Sequence, residues 1–520
     1  MDDYNSNFNN GGATRTYYTN SGGSRRRTAD RPNTPVRRRK RRRRFNPLPI
    51  ILLILIVGVL VGGVVLFLKN HKSETKTAKK ATTPVESMVP ETTKPPETTK
   101  PPVDKIIEEA EKLAVQYDYD GALAVLSREP SLASNSEILQ VRTAIEAEKA
   151  TCQRQDPQQI THIFFHSLIV DTSLAFDGDS KQNGYNQVMT TVDEFNKICL
   201  QMYERGYVLV SLHDIAKEVP DAENGGMKME YCDIMLPAGK KAFVMSQDDL
   251  CYYEYQKGDG LATRLIIGED GRPTCEYTEK DGSIKVGAYD MVPLLDQFID
   301  AHPDFSYKGA KAAIAFTGYN GVLGYRTDES YDPNSQYYDA KLADAPNNNI
   351  EADRKEATKV LKALADDGYE LASHSWGHLD MGKISLDRFI TDSDRWDRNV
   401  NSLIKEATGA PCDILIYPKG ADIGSWRGYS ADVINAGGDY PNGYEKFCYL
   451  HDLGFRYFCN VDSSQYFVQK GNDYFRMGRR NVDGDRMWRD LSNPEKAKLG
   501  YIIDVASVFD PARPTPVPGY

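Results

Sequence analysis

The chain has 520 residues, 40% of them hydrophobic and 27% charged, which is ordinary for a globular protein and allows two to four domains or one large domain with appendages. Its net charge of −10 is unevenly spread, because residues 1–46 carry thirteen Lys/Arg and three Asp/Glu, net +10, and the remainder therefore carries −20. The eight cysteines stand singly without a CxxC pair, which argues against zinc-knuckle and redox motifs and leaves buried thiols and disulfides as equal alternatives.

The first predicted element is a membrane anchor at residues 48–68, LPIILLILIVGVLVGGVVLFL. These 21 residues carry no charge, and as a helix they would span about 30 Å of hydrocarbon. The preceding cations, RRRKRRRR at 37–44, keep that flank cytoplasmic by the positive-inside rule. A cleaved signal peptide is the alternative, but the length of the apolar run and the lack of a small-x-small cleavage site favour an uncleaved anchor. We expect a single-pass cell-membrane protein with a cytoplasmic N-terminus and an extracellular remainder.

Three segments flank this anchor. Residues 1–47 are predicted to form a disordered basic tail, whose cations suit topology and lipid attraction better than nucleic-acid binding. Residues 69–103, rich in Pro, Thr and Lys, predict an extended extracellular stalk. Residues 104–150 have helical periodicity and resemble one tetratricopeptide-like hairpin. A spacer packed on the next domain is favoured there over a peptide-binding array.

From residue 158 to about 510, short apolar runs alternate with helical ones. This alternation predicts an α/β domain with a mainly parallel sheet, either open or closed into a barrel. In such folds the reactive side chains follow the carboxyl ends of strands, which decides where to look for chemistry.

Polar residues of a suggestive kind follow three of these runs. Asp248 and Asp249 follow KKAFVMSQ, His374 and His378 follow ELAS, and His166 follows HIFF. One carboxylate and two imidazoles form a facial set of ligands for a zinc-like divalent cation, and a second, adjacent carboxylate is then available as a general base. Taken singly, an Asp pair is most often a loop or a helix cap, and HxxxH is most often a surface or core pair. Their joint occurrence after apolar strands favours a metal site.

The segment GYELASHSWGH closely resembles the second motif of NodB-type polysaccharide deacetylases (carbohydrate esterase family 4), and FVMSQDDL occupies the place of their first motif. The resemblance covers roughly residues 158–500 and implies a deformed (β/α) barrel. It also implies Asp249, His374 and His378 as ligands of a divalent metal, zinc foremost. Asp248 would then be the catalytic base, and Ser375 would fix the loop between the histidines.

Two further stretches extend the resemblance. ILIYPKG looks like the third motif, which implies that the backbone amide of Tyr417 or Lys419 holds the oxyanion. IFFHSLI, with the helix and strand that follow it, resembles the start of the poly-N-acetylglucosamine deacetylase branch, in which the general acid lies near the beginning of the domain. His166 is therefore the expected acid.

This chain also departs from the family pattern. The glycine after the Asp pair is Leu250, the phenylalanine before it is Gln247, and the arginine of the third motif is Ile416, so that motif cannot brace the base. Arg479 and Arg480 could replace the missing arginine, but a surface salt bridge is the favoured interpretation of both.

Two other segments each have two possible interpretations. LAFDGD at 174–179 looks superficially like the first motif, but its apolar lead is weak and we interpret it as a loop. The Gly- and Tyr-rich stretch at 315–330 either lines a sugar groove or reflects turn chemistry, and the sequence does not separate these alternatives.

The expected function is that of a membrane-anchored, extracellular, metal-dependent hydrolase that removes N-acetyl groups from amino-sugar polymers of a cell wall or exopolysaccharide. No nucleic-acid partner is expected. A non-catalytic polysaccharide-binding protein on the same scaffold is one alternative, which the altered first and third motifs would permit. An O-acetyl esterase is another, because it would use the same residues.

Overall fold

The structure is a computed structural model that describes residues 103–434, 439–461 and 464–519. Within these ranges no helix combines the length and apolar character needed to cross a bilayer. The predicted tail at 1–47, the anchor at 48–68 and all but the last residue of the stalk at 69–103 lie outside the described residues.

Seven parallel strands close into a barrel. Each strand pairs with the next in chain order, and the last pairs with the first. The strands are β1 (Thr161–Phe165), β2 (Lys241–Gln247), β3 (Ala313–Phe316), β4 (Glu370–Ser373), β5 (Ile414–Ile416), β6 (Tyr457–Val461) and β7 (Phe475–Asn481). The predicted (β/α) barrel is therefore confirmed, with seven strands.

The barrel strands read as apolar runs because both of their faces are covered. In β2 every residue after Lys241 is buried. Phe243 and Met245 pack in the cluster that includes the surrounding helices, whereas Ala242 and Val244 belong to the cluster of the barrel interior. The period of two along a strand thus separates the inward from the outward side chains.

Helices and further strands surround the barrel. The helices are Val103–Val115, Tyr119–Leu126, Ser136–Lys149, Thr172–Ala175, Gln182–Val188, Val192–Glu204, Leu212–Ile215, Met291–Ala301, Ile350–Asp366, Leu386–Trp396, Ser402–Thr408, Ala431–Ile434, Gly443–Asp452, Gly484–Ser492 and Val505–Val508, with a π-helical turn at Asp397–Asn401. The remaining strands are Cys152–Arg154, Tyr207–Leu209, Ala216–Pro220, Met227–Tyr231, Met235–Pro237, Ala262–Ile267, Pro273–Thr278, Ile284–Gly287 and Val468–Lys470.

The segment predicted as a helical hairpin contains three helices, Val103–Val115, Tyr119–Leu126 and Ser136–Lys149. Its buried side chains share one apolar cluster with the barrel interior. The hydroxyl of Tyr117 donates to the Asp304 carbonyl at 2.7 Å, in the loop that leads into β3. The segment therefore packs against the amino ends of the barrel strands and leaves their carboxyl ends uncovered by these helices.

The cysteines are all free thiols in this structure, and all eight lie in the described part of the chain. Five of them are buried. Of the two alternatives that the sequence left open, the structure has the buried thiols and no disulfide.

Candidate metal centre

The predicted site residues meet at the carboxyl ends of the barrel strands. Asp248 directly follows β2, His374 directly follows β4, and His166 directly follows β1. The backbone continues the barrel pairing one residue past the strand ends, because the Asp248 amide donates to the Phe165 carbonyl at 2.8 Å and the His374 amide to the Phe316 carbonyl at 2.9 Å. Hydrogen bonds to the neighbouring strands thus hold the backbone of Asp248 and His374 at the edge of the barrel.

Asp249, His374 and His378 form a three-residue cluster. One carboxylate oxygen and one nitrogen from each imidazole lie within 4.8 Å of one another. The His378 Nε2 is 3.9 Å from Oδ2 of Asp249, and the two imidazole rings are 5.0 Å apart between centroids. These separations are too long for direct hydrogen bonds and leave room between the groups.

The cluster fits a divalent cation by its donor chemistry. Two imidazoles and one carboxylate are the ligand set of many catalytic zinc sites, which keep a further position open. The Nδ1 of His374 donates to the Ile416 carbonyl at 2.8 Å, which leaves Nε2 as the ligand atom. Burial lowers the pKa of His378 to about 4 against the opposing effect of Asp249, so that its ring is neutral, as metal binding requires.

The backbone at this site is held in an uncommon conformation. Asp249, Ser375, His378 and Lys419 all have positive φ, at 62°, 60°, 51° and 57°. Such residues cost roughly 1–3 kcal/mol each and persist where the surrounding structure enforces them, as at active sites. The two histidines therefore do not share a helical turn but sit in a shaped loop.

Asp392 fixes that loop. From the helix Leu386–Trp396, its two carboxylate oxygens accept the amides of Trp376 at 3.0 Å and Gly377 at 2.8 Å. The predicted loop residue Ser375 is buried, and its amide donates to the Ser373 hydroxyl at 3.2 Å. No motif in the sequence points to Asp392, because it lies in an ordinary amphipathic helix.

The base predicted at Asp248 is braced by Arg479 of β7. The guanidinium donates to Oδ1 at 2.7 Å and to Oδ2 at 2.9 Å, and both side chains are almost fully buried. The prediction of a surface salt bridge is therefore wrong for Arg479, and also for Arg480, which is buried as well. The arginine missing at Ile416 is supplied by another strand, because barrel closure places β7 beside β1 and one strand from β2.

The electrostatics of Asp248 follow from this pair. Burial raises its pKa, but Arg479 and the nearby His374 outweigh burial, and the pKa lies below its usual value. Oδ2 of Asp248 is 3.8 Å from Nε2 of His374, so the ionised base lies beside the cluster. A second support is Ser246, whose hydroxyl lies 3.2 Å from the same guanidinium and 2.9 Å from the ring of His162.

His166, the predicted acid, stands half-buried at the same mouth. Its Nδ1 lies 3.0 Å from the Val188 carbonyl, an acceptor, so that Nδ1 carries the donated proton and Nε2 is left for proton transfer. The ring is close enough to affect the pKa of Asp248 and of Asp249.

The two predicted oxyanion donors differ. The amide of Tyr417 donates to the Cys459 carbonyl at 2.9 Å, and its hydroxyl lies 3.0 Å from that of Tyr429. Both polar groups of Tyr417 are thus engaged away from the cluster. Lys419 is exposed, and its cation lowers the pKa of His378, which places it near the three-residue cluster. The Lys419 amide is therefore the remaining donor of the pair.

Tyr253, for which the sequence predicts no role, contacts the cluster through Asp249. Its hydroxyl donates to Oδ1 of Asp249 at 2.7 Å and lies 2.9 Å from the Thr317 hydroxyl. Its ring stacks on Tyr319 at 5.0 Å, and Tyr319 lies in the Gly- and Tyr-rich stretch at 315–330. That stretch contacts the site through Tyr319, and its role in lining a sugar groove stays a prediction. LAFDGD, predicted to be a loop, starts with the last two residues of the helix Thr172–Ala175 and is a loop only after Ala175.

Residues 335–440 match the family model described as polysaccharide deacetylase. This range includes His374, His378 and Lys419, but it excludes Asp248 and Asp249. No curated protein matches the chain.

Three solved structures are similar at low identity. A Streptococcus pyogenes deacetylase, PplD, in complex with acetate has 11% identity and a TM-score of 0.33, with 64% of this chain and 95% of that chain covered. IcaB from Ammonifex degensii has 9% identity and a TM-score of 0.29, with 66% and 100% covered. A cellobiohydrolase mutant, CcCel6C in its closed form, has 11% identity and a TM-score of 0.22, with 69% and 70% covered.

Proposed function

We propose that the chain is a metal-dependent N-deacetylase of amino-sugar polymers, anchored in the cell membrane and acting outside the cell. The proposal starts from the match of residues 335–440 to the polysaccharide deacetylase model, which supports a hydrolase of that kind. The proposed cation is zinc. The proposed substrate is an N-acetylglucosamine polymer of the wall or of an exopolysaccharide, by the likeness of the segment around His166 to the poly-N-acetylglucosamine branch.

One observation carries this proposal. A braced, ionised carboxylate at Asp248 lies beside a three-ligand cluster, and its Oδ2 is 3.8 Å from Nε2 of the ligand His374. Hydrolysis of an amide needs a base next to an electrophilic centre, and this pairing provides both places. A scaffold that only binds polysaccharide has no need for a buried arginine on that carboxylate.

The chain's own residues have separate tasks. Asp249, His374 and His378 would hold a divalent cation, which when bound would lower the pKa of a water and polarise the acetyl carbonyl. Asp248 accepts the proton of the attacking water, because Arg479 keeps its carboxylate ionised. His166, with a proton on each ring nitrogen, then delivers the Nε2 proton to the leaving amine, while its Nδ1 proton stays on the Val188 carbonyl.

The oxyanion of the tetrahedral intermediate needs a preorganised donor. The left-handed conformation of Lys419, at φ 57°, turns the chain directly after the strand end of β5. We assign its amide to that role, since the Tyr417 amide is engaged by Cys459.

The anchor is supported by the 21-residue uncharged run at 48–68 and the eight cations before it. With the basic end in the cytoplasm, the barrel lies outside the cell, where wall and capsule polymers are found. The test is protease digestion of an epitope on the barrel. An epitope that is protected in intact cells and is cleaved in inverted vesicles would contradict this topology.

The deciding experiment is acetate release by the full-length, detergent-purified chain. The substrates are chitooligosaccharide, an N-acetylated β-1,6-linked glucosamine oligomer and peptidoglycan fragments. Each is compared with a counterpart that carries O-acetyl groups and no N-acetyl groups. We expect release from an N-acetylated polymer, abolished by a chelator and reduced by Asp248→Asn. The matched control is Asp473→Asn, which changes an exposed carboxylate.

Three results would contradict the proposal. Release from only the O-acetylated substrates would make the protein an esterase. Polymer retention without acetate release or bound metal would make it a binding protein. Equal activity of Asp248→Asn and the wild type would mean that Asp248 is not the catalytic base.

A further inference from the structure

Tyr253 contacts one carboxylate oxygen of Asp249, and His378 lies near the other. Its hydroxyl is 2.7 Å from Oδ1, whereas Oδ2 is the oxygen 3.9 Å from His378. The two oxygens of the proposed ligand thus have different neighbours. One is hydrogen-bonded to a phenol, and the other faces the cluster.

The direction of the hydrogen bonds is fixed by proton counting. An ionised carboxylate only accepts, so the single proton of Tyr253 is donated to Asp249. The Thr317 hydroxyl, 2.9 Å from the same phenol oxygen, must then donate to it. Thr317 in turn lies 3.1 Å from the Cys251 thiol, a weak donor. The result is a directed chain from Thr317 through Tyr253 to Asp249, in which each bond strengthens the next.

The phenol is held rigidly. Tyr253 is 5% exposed, and its ring is stacked between Tyr255 at 5.2 Å and Tyr319 at 5.0 Å. Arg326 fastens the backbone of the same loop by donating to the Tyr252 carbonyl at 3.1 Å. The stacked neighbours therefore keep the Tyr253 ring in one orientation, and its hydroxyl stays hydrogen-bonded to Asp249.

We propose that Tyr253, oriented by Thr317, is a positioning residue whose hydrogen bond occupies Oδ1 of Asp249. This carboxylate would then bind a cation through Oδ2 alone. A carboxylate without such a partner can bind a cation through both oxygens and would occupy the position needed by substrate or water. This inference rests on the proposed metal-dependent function and goes beyond it, because nothing in the family match covers either residue.

The test is titration of the metal-free, full-length protein with Co²⁺, followed by visible absorption and by competition with a chromophoric chelator. Tyr253→Phe keeps the ring stack and removes only the hydroxyl. We expect Co²⁺ affinity to fall by about 10–100-fold, as for other outer-sphere partners of metal ligands. We also expect the visible absorption of bound Co²⁺ to weaken, because coordination numbers above four absorb less.

The matched control is Tyr369→Phe. Tyr369 is also buried, and its hydroxyl lies 2.7 Å from the Asp296 carboxylate, but it precedes β4 at the opposite end of the barrel. Its loss should leave the affinity and the spectrum of bound Co²⁺ unchanged. Thr317→Val should shift both in the direction of Tyr253→Phe by a smaller factor, and Thr317→Ser should restore them.

The outcomes separate the two claims. If the wild type binds Co²⁺ and Tyr253→Phe has the same affinity and spectrum, the positioning role is wrong and the metal centre stands. If Tyr369→Phe moves both quantities as far as Tyr253→Phe does, the effect is one of general stability and the inference also fails. If the wild type binds neither Co²⁺ nor Zn²⁺, the proposed function fails and this inference with it.

Discussion

Charged side chains cluster at both ends of the barrel, but the two clusters are built differently. At the amino end His213 lies 2.5 Å from Glu370, the first residue of β4, and 2.9 Å from Asp413, just before β5. At the carboxyl end His374 and His378 face carboxylates at 3.8 and 3.9 Å. The first set of charges is closed on itself by hydrogen bonds, whereas the second leaves a gap that its own members do not fill.

The difference has a physical meaning. Charges that are already paired by direct hydrogen bonds, as around the partly exposed His213, need no further group to complete them. Buried charges that converge without touching cost free energy, and they persist where a ligand completes them. The carboxyl end also holds Asp249, Ser375, His378 and Lys419 in left-handed backbone conformations. The amino end is closed by the helices of residues 103–149, which share its apolar cluster.

The largest expected effect is loss of a ligand at the open end. His374→Ala should lose the bound cation on dialysis, and acetate release should fall by more than the factor of about 10²–10⁴ expected for a missing base. The reverse pattern, with cation retained in His374→Ala and lost in His213→Ala, would break the comparison between the two ends.

Removal of the base is the next largest effect. Asp248→Asn should lower kcat by about 10²–10⁴-fold. The metal content, measured by elemental analysis, should stay at the wild-type value, because Asp248 is not one of the three ligands. A metal-free Asp248→Asn protein would show instead that Asp248 is itself a ligand.

Arg479→Met tests the brace. Arg479 lowers the pKa of Asp248, so its loss raises that pKa, and the acidic limb of the pH–kcat/KM profile should move to higher pH. The uncompensated buried charge should also reduce the free energy of unfolding by about 3–5 kcal/mol. Arg480→Met is the neighbouring control and should leave the acidic limb in place. An unshifted limb in Arg479→Met would separate the arginine from the base.

The smallest effect concerns the closed end and is one of stability. Burial lowers the pKa of His213, but Asp413 and Glu370 outweigh it and raise the pKa to about 11. Because the folded-state pKa lies above the unfolded value of about 6.5, this contribution is fully present below pH 6.5 and is lost as the pH rises towards 11. The side chain is 43% exposed, so solvent screening keeps the effect modest.

This dependence is measurable by urea unfolding of wild type and His213→Gln between pH 6 and pH 10. The difference between their midpoints should be largest at pH 6 and should shrink as the pH rises. A difference that is constant over this range would mean that the ring is not protonated in the fold.

Part of the site was readable along the chain. The Asp pair and the two histidines each follow an apolar strand, and parallel strands end at one edge, so their convergence could be predicted from order alone. The sequence of β7 also contains a signal for the buried position of Arg479. Phe475, Met477 and Arg479 alternate along β7, which puts the arginine on the inward side, where a buried cation requires a buried anion.

The sequence by itself determined the strand–helix alternation, the ligand types at Asp249, His374 and His378, and the uncharged run at 48–68, because each is a local pattern set by residue spacing and polarity. Only the tertiary structure decided which groups support these ligands. Arg479 is 231 residues from Asp248 and Thr317 is 64 from Tyr253, and they meet because seven strands close into one ring. Contacts of that kind depend on the register and curvature of the whole barrel, which no local pattern encodes.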